Sequence, residues 1–116
     1  PFAVGDAAPD EVAAVLDLLW GGPETLIVVS SDLSHYRHHS EAARIDRATA
    51  DDILALSATL DHEQACGATP VNGFLLCARR RGLTPALLDL RNSGDTAGDR
   101  SRVVGYAAFA FTEHRT

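Results

Sequence analysis

Residues 25–36 have the sequence TLIVVSSDLSHY, in which an apolar run leads directly into hydroxyls, a carboxylate and an imidazole. The apolar residues 26–29 follow one another without polar alternation, which predicts a strand over 25–30 with both faces buried. Open α/β sheets bind their ligands beyond the carboxyl ends of the strands. We therefore expect the polar residues after this strand, Asp32 and His35 among them, to lie at a ligand site.

The pattern on either side of this strand predicts an α/β fold. Apolar residues at helical spacing and capping signals indicate helices, and two further apolar runs indicate strands. The predicted helices cover 10–20, a segment beginning at 40, a segment beginning at the cap Thr49, and a segment from the cap Thr69 to Gly82; the predicted strands cover 25–30, 86–91 and 103–111. A helix followed by a buried strand favours a largely parallel or mixed sheet flanked by helices.

Length and composition limit the classes of protein. A chain of 116 residues accommodates one small domain. The net charge of −6 argues against a nucleic-acid partner. No apolar run reaches the ~18–20 residues of a membrane span and no signal peptide is visible, so we expect no membrane partner and a cytoplasmic location. Since the chain begins with Pro1 rather than Met, we interpret it as a piece of a longer protein.

The spacing of Asp32 and His35 allows the carboxylate to orient the imidazole as a general base. Taken alone, the spacing favours a self-capping turn over a site. His35, His38 and His39 have a spacing that can chelate a metal on a helix, although solvated side chains explain the last two well. A serine nucleophile at Ser34 is improbable, because no Gly-x-Ser-x-Gly elbow is present.

The two cysteines have different expected roles. Eleven helical residues would separate Cys66 from Cys77 by roughly 16 Å, too far for a disulfide. Cys66 precedes a predicted helix start, where the dipole stabilises a thiolate, so it is a candidate metal ligand. Cys77 lies beside the apolar stripe of the same helix and is most simply a packing residue.

Four motifs together resemble the Memo family, the family of AmmeMemoRadiSam system protein B. They occur in the family's order between about residue 25 and residue 111. They are Val29–Tyr36, Ala65-Cys66-Gly67 with Pro70, Ser93-Gly94-Asp95, and Val103–Ala108. Each motif alone is weakly specific, and the set is fairly specific.

The resemblance implies a fold and a site. The Memo family is similar to the catalytic subunits of class III extradiol dioxygenases, which implies an α/β fold like that of those catalytic subunits. By this resemblance Cys66 is a metal ligand, His35 an acid–base residue and Asp32 a carboxylate lining the site. The family's two histidine ligands belong to an N-terminal part, so residues 1–116 would be the C-terminal part of one Memo-like domain. Iron, copper or zinc would need ligands outside this chain, which alone would bind metal weakly and catalyse nothing.

Two functions follow from the resemblance. The first is a metal-dependent redox enzyme with His35 as base, Asp32 orienting it and Cys66 on the metal. The second is a non-catalytic module that uses the pocket or its rim to bind a peptide or a partner protein. Family context suggests AMMECR1-type and radical-SAM proteins as partners.

Overall fold

Three helices and a three-stranded sheet make up the part of the chain that the computed structural model describes, residues 1–96 and 98–113. The elements in chain order are α1 (Pro9–Leu19), β1 (His35–Arg37), α2 (His39–Leu54), α3 (Ala68–Arg81), β2 (Thr84–Asn92), a short 3₁₀ turn (Ser93–Asp95) and β3 (Val103–Thr112). The class is α/β, as predicted.

The sheet is antiparallel, so the prediction of a largely parallel or mixed sheet was wrong. Its order is β1-β3-β2, and both pairings are antiparallel. Strands β2 and β3 pair from Thr84 opposite Thr112 to Asn92 opposite Gly105. The reason is the connection between them, since consecutive strands joined by a short segment pair as a hairpin, whereas parallel strands need a long crossover. The two strand predictions over 86–91 and 103–111 are confirmed.

Residues 25–30, predicted as a doubly buried strand, pair with no strand of the described chain. Leu26 and Val28 are 86% and 79% exposed. Ile27 and Val29 are half-buried and line a cavity that Phe109 also lines. One face is therefore covered and the other is open, so this prediction was wrong. The apolar run reports a tendency to be buried, but a strand also requires a partner for its backbone.

Helix α2 is continuous where the capping signals predicted two helices. Thr49, the predicted second cap, lies inside it and donates its hydroxyl to the Ile45 carbonyl at 3.0 Å. The N-cap is His38, whose side chain accepts a hydrogen bond from the Ser40 N–H. No helix in the described residues is long and apolar enough to cross a membrane.

Helices α1 and α3 confirm their predictions within one or two residues. Helix α3 has Gly67 rather than Thr69 as its N-cap, and Pro70 lies in its first turn, where an N–H is not needed. It ends at Gly82, whose φ of 64° favours glycine. The two helices approach closely at Gly73, where a Cβ would lie 2.6 Å from the Val12 Cβ.

The main core lies between these helices, the sheet and the segments around residues 33 and 60–65. Its buried members are Leu33, Ile53, Leu60, Ala65, Ala68 and Leu75. Two of them flank the predicted site residues in sequence, since Leu33 follows Asp32 and Ala65 precedes Cys66. Packing of the core therefore sets where the candidate site residues lie.

Candidate metal site

Asp32, His35 and Cys66 come together in the folded chain. One ligand atom from each lies within 4.8 Å of the ligand atoms of the other two, in a cluster of metal-ligand type found among the described residues. His35 Nε2 is 3.6 Å from Asp32 Oδ2. His35 and Cys66 are exposed and Asp32 is half-buried, so the cluster is open on one side. The three residues singled out from the sequence are thus neighbours in space.

Hydrogen bonds join the Asp32 and Cys66 segments directly. The Asp32 N–H donates to Cys66 Sγ at 3.3 Å, and the Cys66 N–H donates to the Asp32 carbonyl at 3.3 Å. The Gly67 N–H donates to Ser31 Oγ at 2.9 Å. A Cβ at Gly67 would lie 3.0 Å from the Ser30 carbonyl oxygen, so glycine permits this approach. The Cys66 thiol is consequently fixed against the Asp32 backbone.

The two residues between Asp32 and His35 are buried and attach the loop to strand β3. Leu33 is 5% exposed and Ser34 is fully buried. The Leu33 N–H donates to the Gly105 carbonyl at 2.9 Å, and the Gly105 N–H donates to the Ser34 carbonyl at 2.9 Å. Strand β3 therefore anchors the loop, while Asp32 and His35 remain at the surface.

Tyr36 turns the chain directly after His35. Its φ of 61° lies in the left-handed region that non-glycine residues rarely adopt. The Tyr36 ring lies 5.7 Å from the His35 ring, and the Arg102 guanidinium lies 5.0 Å over the Tyr36 ring. Backbone strain of this kind is found at functional sites, where surrounding contacts hold it.

Asp46 was not anticipated from the sequence. It is 2% exposed within α2, and its Oδ1 accepts a hydrogen bond from the Ser34 N–H at 3.0 Å. Burial raises the pKa of this carboxyl, and the bond from Ser34 opposes that rise. The sequence signal was an acidic residue at helical spacing from the apolar Ala42 and Ile53, which are also buried.

The two cysteines lie in different environments. Both are free thiols, with Cys66 exposed and Cys77 buried. The Cys77 thiol donates to the Ala13 carbonyl at 3.4 Å, which places it at the contact of α3 with α1. Burial raises the pKa of the Cys77 thiol, and the nearby charge of Asp17 adds to the effect. The packing role predicted for Cys77 is confirmed.

The histidine trio does not form a site. His35 lies in β1, His38 caps α2, and His39 Nε2 lies 2.6 Å from Asp95 Oδ1. This contact lowers the pKa of Asp95, which also accepts a hydrogen bond from the Asn92 N–H. The Ser93-Gly94-Asp95 motif thus ties the start of α2 to the turn after β2. Ser34 has a buried hydroxyl, which argues further against a serine nucleophile.

The donor set suits a transition metal. A thiolate, an imidazole and a carboxylate are ligands of zinc, iron and copper. Bonds of about 2.0–2.3 Å place two ligand atoms of one ion at most ~4.5 Å apart, so small side-chain rotations would bring this cluster to coordinating distances. The open side leaves space for further ligands. The residues therefore fit a metal ion of this class.

These features define an α/β protein with a mixed thiol, imidazole and carboxyl cluster beside a helix start. A family model described as Memo-like protein matches residues 3–110. The chain belongs to this family, as its motifs predicted.

Archaeal relatives extend the match. The chain is 32% identical over 114 residues to a MEMO1 family protein of Sulfolobus acidocaldarius, covering 91% of this chain and 40% of the relative. It is 36% identical over 112 residues to a MEMO1 family protein of Methanosarcina acetivorans, covering 89% and 42%. A third, from Methanopyrus kandleri, is 34% identical over 116 residues, covering 93% and 39%. The chain spans about two fifths of the length of these relatives.

Proposed function

We propose that Asp32, His35 and Cys66 form one wall of a metal pocket in a metal-dependent redox enzyme of the Memo family. The observation that carries this proposal is the convergence of their three ligand atoms to within 4.8 Å at an open surface. Iron and copper suit the redox role, and zinc suits the same donors. When bound, such a metal would supply Lewis acidity or electron transfer.

Each residue has a distinct proposed role. Cys66 binds the metal through Sγ, which the Asp32 N–H holds in place at 3.3 Å. His35 takes or gives a proton at Nε2 on the exposed side. Asp32 orients that imidazole through Oδ2, 3.6 Å from Nε2. An exposed His–Asp pair at this distance tightens when a substrate excludes water.

The remaining ligands would come from residues outside this chain. A redox metal usually has three or more protein ligands, and the proposal assigns one ligand, Cys66, to this chain. The chain covers 40% of the Sulfolobus relative, which leaves most of that protein unmatched. We propose that residues 1–116 are the C-terminal part of a cytoplasmic protein with a fold like that of the extradiol dioxygenase catalytic subunits. On its own the 116-residue chain should bind metal weakly.

Replacing each cysteine in turn tests the proposal in the natural full-length protein. Cys66→Ala should purify without the metal found in the wild type, because the thiolate ligand is gone. Cys77→Ala is the matched control and should retain the metal, since this thiol is buried against α1. Metal content per protein is measured by inductively coupled plasma mass spectrometry. Equal metal loss in the two variants would contradict the assignment.

A second candidate is a non-catalytic binding module. Exposed apolar side chains favour it, because Leu26 and Val28 lie just before the site and are 86% and 79% exposed. AMMECR1-type and radical-SAM proteins are the proposed partners. Co-purification with wild type and Cys66→Ala distinguishes the candidates. A partner retained by the Cys66 variant but lost when Leu26 and Val28 become lysines supports the module over a metal-pocket interface.

A further inference from the structure

A buried carboxylate with no cationic partner among the described residues lies beneath the loop that carries Asp32 and His35. Asp46 forms no salt bridge within residues 1–96 and 98–113, and its Oδ2 and the Ser34 Oγ are both buried without a hydrogen-bond partner there. Burying such a group costs stability, and a fold alone would be served as well by an apolar residue. The position therefore requires an explanation beyond packing.

The contacts of Asp46 supply that explanation. Its Oδ1 accepts the Ser34 N–H at 3.0 Å, and Ser34 is the residue directly before His35. Strand β3 closes the other side, where the Gly105 carbonyl and N–H bond to Leu33 and Ser34 at 2.9 Å. A Cβ at Gly105 would lie 2.6 Å from Asp46 Cγ, so the carboxylate fills the space that a side chain would need. Asp46 and Gly105 together bond to the backbone of Leu33 and Ser34 and fix the loop in place.

We infer that Asp46 is a positioning residue that fixes the Asp32–His35 loop for metal binding through its bond to the Ser34 N–H. The inference rests on the proposed metal site and adds a residue to it. Loss of the acceptor would free Ser34, which is two residues from Asp32 and one from His35. The change would also reach Cys66, since the Asp32 N–H of the same loop donates to Cys66 Sγ at 3.3 Å.

Three substitutions separate positioning from packing. Asp46→Asn keeps an oxygen acceptor for the Ser34 N–H at nearly the same volume. Asp46→Leu keeps the branched shape without an acceptor, and Asp46→Ala removes both. Thr49→Ala is the control, because Thr49 is also fully buried in α2 and bonds to Ile45 and Gln64 rather than to the loop.

The experiment titrates the natural full-length protein with Co²⁺ and follows the thiolate-to-cobalt charge-transfer band. Asp46→Leu and Asp46→Ala should weaken cobalt binding by about 10–100-fold, the usual effect of removing an outer-shell partner. The cobalt affinity of Asp46→Asn should stay within about threefold of the wild type, because asparagine still accepts the Ser34 N–H. Thr49→Ala should bind as the wild type does. If Asp46→Ala does not fold, Asp46→Leu carries the comparison.

Hydrogen exchange of the Ser34 amide in the metal-free protein provides a readout that does not depend on metal. Protection should fall in Asp46→Leu and persist in Asp46→Asn. Wild-type cobalt affinity in Asp46→Leu, or equal weakening in Thr49→Ala, would overturn the inference. A wild type without a charge-transfer band would refute the proposed metal site, and amide exchange would then still decide whether Asp46 holds the loop.

Discussion

Asn72 links α3 to the segment before Cys66 through two side-chain hydrogen bonds to Leu60. The Leu60 N–H donates to Asn72 Oδ1 at 2.9 Å, and Asn72 Nδ2 donates to the Leu60 carbonyl at 2.8 Å. Asn72 and Leu60 are only 6% and 5% exposed, so water cannot replace either bond easily. We predict that Asn72→Ala is severely destabilising.

The expected loss follows from these two bonds. A buried backbone group left without a partner costs about 1–3 kcal/mol, so two cost about 2–6 kcal/mol. A domain of this size is stable by roughly 5–15 kcal/mol, so the loss is a large share of the total. Asn72→Asp is a sharper test, because the introduced carboxylate can accept from the Leu60 N–H but cannot donate to its carbonyl. Its stability should recover when acid protonates the carboxyl group.

Urea denaturation followed by circular dichroism measures the change in the free energy of unfolding. Arg79→Ala is the control, since Arg79 is an exposed residue on the same helix and should change stability by less than about 1 kcal/mol. The reasoning fails if Asn72→Ala lies within about 0.5 kcal/mol of the wild type. It fails equally if Asn72→Asp shows no recovery in acid.

Three further predictions concern the loop and the open surface. Gly105→Ala should lower the free energy of unfolding by about 1–3 kcal/mol, because the new methyl group crowds Asp46. The double variant with Asp46→Ala should lose less than the sum of the two single losses. Additive losses in urea denaturation would contradict the contact. Burial raises the pKa of Asp46, so its contribution to stability should be complete below a carboxyl's ordinary pKa and decline as pH rises through the raised value. Over that pH range the free energy of unfolding of Asp46→Asn should decline less than that of the wild type. Identical pH profiles for the two proteins would contradict a raised pKa at Asp46. Replacing the exposed Leu26 and Val28 with lysine should change the free energy of unfolding by less than about 0.5 kcal/mol. The same change should reduce self-association in analytical ultracentrifugation, and unchanged self-association would show that these side chains do not mediate it.

Elements whose signals are local were predictable from sequence. Helix α1 and the end of α3 follow from apolar spacing and from glycines that stop a helix. Strands β2 and β3 follow from their composition. The direction of the sheet and the state of residues 25–30 depend on which segment pairs with which, and no local pattern records that choice. Thr49 failed as a cap because a threonine hydroxyl can also bond to the carbonyl four residues earlier in its own helix.

The site was predictable only in its outward-facing part. Asp32, His35 and Cys66 carry recognisable chemistry, so they could be named from residue type, motif and resemblance. Asp46 contacts Ser34, which is 12 residues away in the sequence, and Gly105 contacts Asp46, which is 59 residues away. Spacing along the sequence does not reveal such contacts. An acid within a buried helical stripe was the one available signal, and it indicates a buried carboxylate without indicating its partner.

The packing of the fold brings the three ligand atoms together. Asp32, His35 and Cys66 each adjoin a buried residue in sequence, namely Leu33, Ser34 and Ala65. Core packing and the bonds of the loop therefore fix the backbone at all three residues, and only the ends of their side chains remain free to adjust. A site assembled in this way is preorganised, so we expect metal affinity at the proposed site to depend on the residues that hold the loop as well as on the metal ligands. We therefore expect the buried Asp46 carboxyl group, which bonds to the Ser34 N–H, to influence the exposed Cys66 thiol and His35 imidazole.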